Sequence, residues 1–262
     1  MGVPVAVIVP VHGFAPYLPE ALDSVLAQAP AEVIVVDDAS PEPTALHRDH
    51  AACRIVRRTA CGGPAAARQS GLEAIGDGVD LVGLCDADDA WEPGKLAAQV
   101  AALAADPGVA VVFGRAVVIG PDGRPTGEPW VEPPAGPLAD PVAALYAHNP
   151  VPTSSVVVRR AALEAVGGFP APTTLAEDWD LWLRLVASGA GFACVPEARV
   201  RYRRHAGGLT GDVAALARDQ LALHEAHAGL VDSATARRAR GADRRALRRE
   251  RVRRAVRRLP GA

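Results

Sequence analysis

The chain has 262 residues, of which 49% are hydrophobic, enough to bury the core of one large α/β domain or two small ones and too apolar for a disordered chain. Its net charge of −2 hides a split: residues 236–262 hold twelve Arg against Asp243 and Glu250, an excess of +10, which leaves −12 on residues 1–235. An acidic body argues against a general nucleic-acid surface, while the basic tail suits anionic lipid, nucleic acid, an acidic partner or plain water.

The opening run at residues 5–9 is too short for a signal peptide and lacks its basic flank. No apolar segment approaches the roughly 20 residues that cross a bilayer, so a soluble or peripherally attached protein is expected. Cys53, Cys61, Cys85 and Cys194 form neither a zinc pattern nor a disulfide framework, which fits a reducing cytoplasm.

Short apolar runs alternate with helical patterns through the first half: strands at 5–11, 33–36, 54–57 and 81–85, helices at 18–28 and after the glycines at 62–63. That alternation predicts βαβ units, a mainly parallel sheet with helices on both faces, and ligand contacts at the carboxyl edge of the strands. Leu96, Val100 and Leu103 mark one face of the next helix, and 109–113 reads as a strand. Gly120-Pro121-Asp122-Gly123 signals a turn between antiparallel strands, and the Pro- and Gly-rich stretch to residue 141, centred on Trp130, reads as a binding loop or lid. A strand at 154–158, a helix at 160–166, a helix carrying Leu181, Trp182 and Leu185 on one face, and late strands at 192–195 and 200–202 follow. The pattern ends in a helix at 212–230 and an Arg-rich tail, read as solvated or partly disordered. The expected division is a donor-binding half at 1–115, an acceptor-facing half of the same domain at 116–211, and the C-terminal helix and tail at 212–262.

Several polar positions carry two readings. The strand at 81–85 ends in Asp86-Ala87-Asp88-Asp89, where alternation lets Asp86 and Asp88 approach one hard divalent cation, Mg2+ or Mn2+, and where acids also serve as an ordinary turn before a helix. Gly62-Gly63 is either a flexible helix entry or a close approach to ligand, with Arg68 able to bond a base or phosphate. Glu177 and Asp178 stand where acids stabilise a helix N-terminus, and His205 is either a surface histidine or a ligand.

In sequence, Val7-Ile8-Val9-Pro10-Val11-His12, Val35-Val36-Asp37-Asp38-Ala39-Ser40, Ala67-Arg68-Gln69-Ser70-Gly71, Asp86-Ala87-Asp88-Asp89, Gly167-Gly168-Phe169, Glu177-Asp178-Trp179-Asp180-Leu181-Trp182 and Tyr202-Arg203-Arg204-His205 resemble the successive motifs of inverting glycosyltransferases of family 2. The resemblance covers about residues 3–210 and stops short of the Arg-rich tail. It implies a GT-A fold and a metal-dependent transfer from a nucleotide diphosphate sugar, usually a UDP-sugar, to a carbohydrate, lipid-linked or other hydroxyl acceptor. It also implies roles: Pro10, Val11 and His12 as a wall of the base pocket, Asp38 on the base with Arg68 nearby, and Asp86, Ala87 and Asp88 along the donor. Asp88 would hold the metal with Asp86 near ribose or metal, His205 would touch metal or diphosphate, and Asp178 would be the catalytic base, supported by Glu177 and Trp179. Gly13 and Gln69 depart from an Asn frequent at each place, which affects fine donor contacts. The alternative is a non-catalytic nucleotide-sugar binding or scaffold protein of the same fold. A sugar-nucleotide pyrophosphorylase ranks lower, because the chain lacks its Gly-rich N-terminal activation loop.

Overall fold

The computed structural model describes residues 3–46, 49–131, 133–169, 175–208 and 213–256, the last six as backbone only. The first half folds as β1 (Val5–Val11), α1 (Leu18–Leu26), β2 (Glu32–Asp37), β3 (Cys53–Arg57), α2 (Gly63–Glu73) and β4 (Leu81–Leu84). Next come β5 (Ala90–Trp91), α3 (Lys95–Ala105), β6 (Val109–Phe113), β7 (Ala116–Ile119), β8 (Gly136–Pro137) and α4 (Pro141–Ala147). A 3₁₀ turn at Thr153–Ser155 leads into β9 (Val157–Arg159) and α5 (Arg160–Ala165). The chain continues through α6 (Glu177–Ala187), β10 (Gly191–Cys194), β11 (Val200–Arg203), α7 (Val213–Ala226) and α8 (Ser233–Val256).

Eight strands form one sheet in the order β3-β2-β1-β4-β9-β6-β10-β8, and β5, β11 and β7 form a second, smaller one. The β3-β2-β1-β4 half is parallel throughout, as is the β6–β10 pair. β9 runs antiparallel to both of its neighbours, β4 and β6, and so inserts a segment of the second half between two strands of the first.

The two faces of β1 show how the layers hold. Val5, Val7, Val9 and Val11 pack with Leu18, Leu22 and Val25 of α1 and with Leu96 and Leu103 of α3. Ala6 and Ile8, on the alternate face, pack with Ala65, Ala67 and Leu72 of α2 and join the cluster containing Leu181, Trp182 and Leu185 of α6. Each large aliphatic side chain so buried contributes ~1.5–3 kcal/mol. For α1, whose N-cap Tyr17 makes no side-chain cap bond, that burial rather than capping fixes the helix. α2 lies so close to β1 that a Cβ on Gly71 would stand 2.5 Å from Ile8 Cγ2, which makes glycine a packing requirement there.

Three expectations change. Residues 154–155 are not strand: Pro152 precedes a 3₁₀ turn at Thr153–Ser155, and only Val157–Arg159 joins the sheet. The turn at 120–123 closes no hairpin of two full strands, since β7 is followed only by an isolated bridge between Ile119 and Pro125. The Arg-rich tail is helical to Val256, with Ala236 and Asp243 buried against the body and Arg237, Arg238, Arg244, Arg245, Arg248 and Arg249 exposed. Arg and Ala are strong helix formers, and packing on α7 supplies what the sparse apolar stripe does not. Leu209, Thr210 and Asp212, and the tail from 257 on, lie outside the described residues. No helix among the described residues is long and apolar enough to cross a membrane.

Candidate active site

Parallel pairing aligns Val11 with Asp37, so His12 and Asp38 emerge together at the carboxyl edge. His12 Nδ1 lies 2.8 Å from the Asp38 carbonyl oxygen; His12 is exposed, Val11 buried and Pro10 half-buried. The Asp38 carboxylate, on a residue 2% exposed, receives Arg58 Nε at 2.8 Å and the backbone N–H groups of Gly62 at 3.0 Å and Gly63 at 2.7 Å. Gly63 has φ +79°, the left-handed region that lets two successive amides turn toward one carboxylate. The glycine pair therefore binds an anion, and that anion is the protein's own. His12, Asp38 and Cys61 bring potential ligand atoms within 4.8 Å of one another, but Arg58 already matches the Asp38 charge, which makes this a poor cation site.

β4 delivers the second group. Cys85 N–H donates to Ile8 O at 3.1 Å, continuing the ladder one residue past the strand, and Asp86 N–H donates to Ser154 Oγ at 3.0 Å. Ser154 Oγ in turn donates to Asp89 Oδ2 at 2.5 Å, and Arg203 N–H donates to Asp89 Oδ1 at 2.8 Å. Asp89 is 1% exposed and tied to the scaffold on both oxygens, so Asp86 and Asp88 are the acids of this turn that reach solvent. Arg203 Nε also donates to the Asp88 carbonyl at 2.8 Å, and His205 Nε2 lies 3.0 Å from Asp88 Oδ2. Burial, reinforced by the Asp86 charge, raises the Asp88 carboxyl above its usual range, and burial with Asp88 and Asp86 raises Asp89 further.

α6 brings the third group. Asp178 Oδ2 accepts from Thr153 Oγ1 at 2.6 Å and from Asn149 Nδ2 at 3.3 Å, while the Trp179 N–H donates to Oδ1 at 2.6 Å. Trp179 itself is buried, its indole N–H donating to Leu145 O at 2.5 Å, which fixes α6 on α4. Burial raises the Asp178 carboxyl, against the pull of the Thr153 hydroxyl and of Arg68.

Arg68, 3% exposed, joins the second group to the third. Its Nη2 donates to Asp86 Oδ1 at 2.6 Å and its Nη1 to Glu177 Oε1 at 2.7 Å. Burial alone would weaken the guanidinium charge, but Asp86 and Glu177 outweigh it and hold Arg68 cationic. Glu177 is pushed up to about 6, because burial exceeds the attraction of Arg68 and Asp178 adds like charge. Asp86 acts electrostatically on both Asp88 and Asp178, so the three aspartates singled out from sequence share one field. The Arg68 guanidinium bonds Asp86 and Glu177, whereas the Asp38 carboxylate bonds Arg58 and the glycine amides.

Asp88 and His205 bring a carboxylate and an imidazole to 3.0 Å of each other, and Asp86, held by Arg68, stands on the same turn. Among the described residues these three do not close to within 4.8 Å as a set, so it is the chemistry of the donors and not their spacing that suits a divalent cation such as Mn2+ or Mg2+. Sequence reasoning missed Arg58, Asn149, Thr153, Ser154, Asp89 and Arg203. Asp89 had a signal in its acidic run; the others act through pairings far along the chain that no local pattern discloses.

The mostly parallel sheet with helices on both faces and acids at its strand ends is a GT-A fold. Residues 6–167 match glycosyl transferase family 2 and residues 138–240 match glycosyl transferase family group 2, so the chain belongs to family 2. It is similar to the uncharacterized protein Rv1520 of Mycobacterium tuberculosis, with 37% identity over 204 residues that cover 74% of this chain and 56% of that protein. The chain thus spans little more than half the length of that relative. Among solved structures, the mannosyltransferase PcManGT from Pyrobaculum calidifontis in complex with GDP-Man and Mn2+ aligns with TM-score 0.66 and 21% identity over 93% of this chain and 71% of that one. S. aureus TarS 1-349 in complex with UDP-GlcNAc aligns with TM-score 0.66 and 18% identity over 90% of this chain and 70% of that one. At such identities these likenesses speak for the fold.

Proposed function

We propose that this chain transfers a sugar, with inversion, from a nucleoside diphosphate sugar to an acceptor hydroxyl. The observation that carries the reading is the bridge made by Arg68, which bonds Asp86 after β4 and Glu177 next to Asp178 on α6 and so brings the two acidic segments together. Asp178 acts as general base: its carboxylate takes the acceptor O–H proton while that oxygen attacks the anomeric carbon from the face opposite the diphosphate. The anomeric C–O bond breaks and its electron pair leaves with the diphosphate, giving the inverted glycoside. Asp86, Asp88 and His205 are the residues that would hold a divalent cation here, and such an ion would supply Lewis-acid stabilisation of that leaving charge. Thr153 and Asn149 orient the base, and Arg68 ties Asp86 to Glu177 beside it. Pro10, Val11, His12 and Asp38 lie along the edge that suits the nucleotide base. TarS was solved with UDP-GlcNAc and PcManGT with GDP-Man, so UDP is our first choice of donor nucleotide and GDP the second.

The test is a thermal-shift titration with UDP and GDP, each with Mn2+ and with chelator. Stabilisation that requires the metal and disappears in Asp88→Ala supports the reading, and equal binding in chelator overturns it.

The exposed arginines of α8 suit an anionic membrane surface, and we propose peripheral contact there. Arg237→Gln, Arg244→Gln and Arg248→Gln together should weaken binding to phosphatidylserine vesicles, and unchanged vesicle binding removes this part of the proposal.

A further inference from the structure

We propose that the C-terminal hairpin of α7 and α8 is a positioning element for Asp178 and that His224 is the residue through which it acts. The inference rests on the glycosyl-transfer reading above, which supplies the role of Asp178.

His224, on α7, is 2% exposed and touches three other helices. Its Nδ1 lies 2.6 Å from Asp243 Oδ2 of α8 and its Nε2 2.8 Å from Tyr146 O of α4, while the Tyr146 hydroxyl donates back to the His224 carbonyl at 2.8 Å. The same imidazole meets the indole of Trp179, on α6, at 5.1 Å between centroids and 83° between planes. Trp179 is the residue whose backbone N–H donates to Asp178 Oδ1 at 2.6 Å and whose indole N–H bonds Leu145 O. A run of direct contacts, Asp243 to His224 to Trp179 to Asp178, therefore joins α8 to the base.

Two more bonds grip the chain on either side of that base. The Leu175 N–H donates to Asp219 Oδ2 of α7 at 2.8 Å, and His227, just past the end of α7, brings Nε2 to 2.7 Å from Asp180 Oδ1. Ala176 stands at the N-cap of α6 and offers no side-chain cap bond, so these contacts, with the Arg68 bond to Glu177, fix the first turn. Apolar packing alone would hold the hairpin, and burying an imidazole with a carboxylate costs desolvation. What the pair adds is direction, because acceptors at both nitrogens allow the ring one orientation. A general base needs that precision, since a misplacement of ~1 Å can cost about 10²-fold in rate.

The test places [4-13C]aspartate in the full chain without ligand and follows the carboxyl signals of Asp178, Asp86 and Asp88, each assigned by its loss in the corresponding Asp→Asn chain. Asp243→Ala and His224→Gln should both move the Asp178 signal and leave those of Asp86 and Asp88 in place, with the affinity for Mg2+ and UDP or GDP within about two-fold of the parent. Asp243→Asn keeps an oxygen opposite Nδ1 and should give a smaller shift. Glu225→Gln, which touches only an exposed pair with Arg244, should give none. If Asp243→Ala does not fold, His224→Gln and Asp243→Asn decide on the same criteria. An Asp178 signal that stays at its parent position overturns the proposal. So does a joint shift of all three signals with loss of nucleotide affinity, the mark of a general brace. The two failures are distinct: a parent chain without metal-dependent nucleotide binding defeats the glycosyl-transfer reading, whereas nucleotide binding with an unmoved Asp178 signal defeats only the role of the hairpin.

Discussion

Replacing Arg68 by Met tests how the site is assembled. The substitution keeps most of the side chain's length and removes one positive charge between Asp86 Oδ1 and Glu177 Oε1, 2.6 and 2.7 Å away. Breaking a buried ion pair from one side costs about 3–5 kcal/mol. The lower end applies because the Asp86 side chain is 28% exposed and can turn to water, whereas that of Glu177, at 9%, cannot. A loss of about 3 kcal/mol lowers Tm by roughly 6–12 °C in a chain of this size. The pH dependence has a definite sign. Glu177 sits at about 6 in the folded chain against 4.5 unperturbed, so the folded state binds more protons between those values and its ionisation penalty grows as pH rises through 6. Without Arg68 the carboxyl rises further, so the defect should be largest at pH 8 and shrink toward pH 5. The assay is differential scanning fluorimetry of both chains from pH 5 to 8, with Arg160→Ala as a control whose ion pair to a half-exposed Glu164 contributes no more than ~1 kcal/mol. A Tm within 2 °C of the parent at pH 8, or a gap that widens in acid, would refute the account of Arg68 as a buried tie.

Asp178→Asn should lower transfer about 10²–10⁴-fold while metal-dependent nucleotide binding persists, as single-turnover transfer and thermal shift on the same sample would show. Thr153→Val removes the hydroxyl that holds the Asp178 carboxyl down, so the acid limb of the kcat–pH profile should move to higher pH. Lys95 is fully buried, its Nζ 2.7 Å from Gln99 Oε1 and 3.6 Å from the Trp91 ring centroid, and burial lowers its pKa to about 7 from 10.5. The folded state therefore pays to keep it charged below pH 7, and Lys95→Met should raise stability by about 1–3 kcal/mol at pH 6, with the gain fading between pH 7 and 10 in urea titrations. His224 has acceptors on both ring nitrogens, Asp243 Oδ2 at 2.6 Å and Tyr146 O at 2.8 Å, and is thereby held as the imidazolium. Its pKa is raised above 6.5, so its contribution is complete below that pH and disappears as pH rises through the folded value; Asp243→Asn should speed hydrogen exchange in α8 at pH 6 more than at pH 9.

The legible parts of this molecule are those where one residue's role follows from its immediate neighbours. Strand and helix periodicity in residues 5–113 anticipated β1 to β4, β6 and the helices between them, because both faces of the parallel half are buried and apolar runs there have few alternatives. Asp86, Asp88 and Asp178 were visible as motifs. Their supports were not: Ser154 was read as strand, yet the 3₁₀ turn at Thr153–Ser155 turns its hydroxyl to the amide of Asp86 and the carboxylate of Asp89, a pairing across more than sixty residues. Arg68 looked like a ligand-facing arginine on an Ala-rich helix, and only the fold, which brings Glu177 and Asp86 to its two Nη atoms, reveals it as a bridge between two acids. The tail's arginines are solvated as composition suggests, but its order to Val256 was not legible, because the buried pairing of Asp243 with His224 that anchors α8 is one that composition cannot register.

The short passage from Asn149 to Ser155 reaches Asp178 through Asn149 and Thr153, and the acidic turn after β4 through Ser154. Asp178 and the acidic turn are thus gauged from a common ruler, so inserting or deleting a residue within it displaces both at once instead of retuning either. Efforts to re-engineer this scaffold should leave that ruler untouched and diversify the stretch around Trp130, where the backbone answers to three side-chain contacts and not to the sheet.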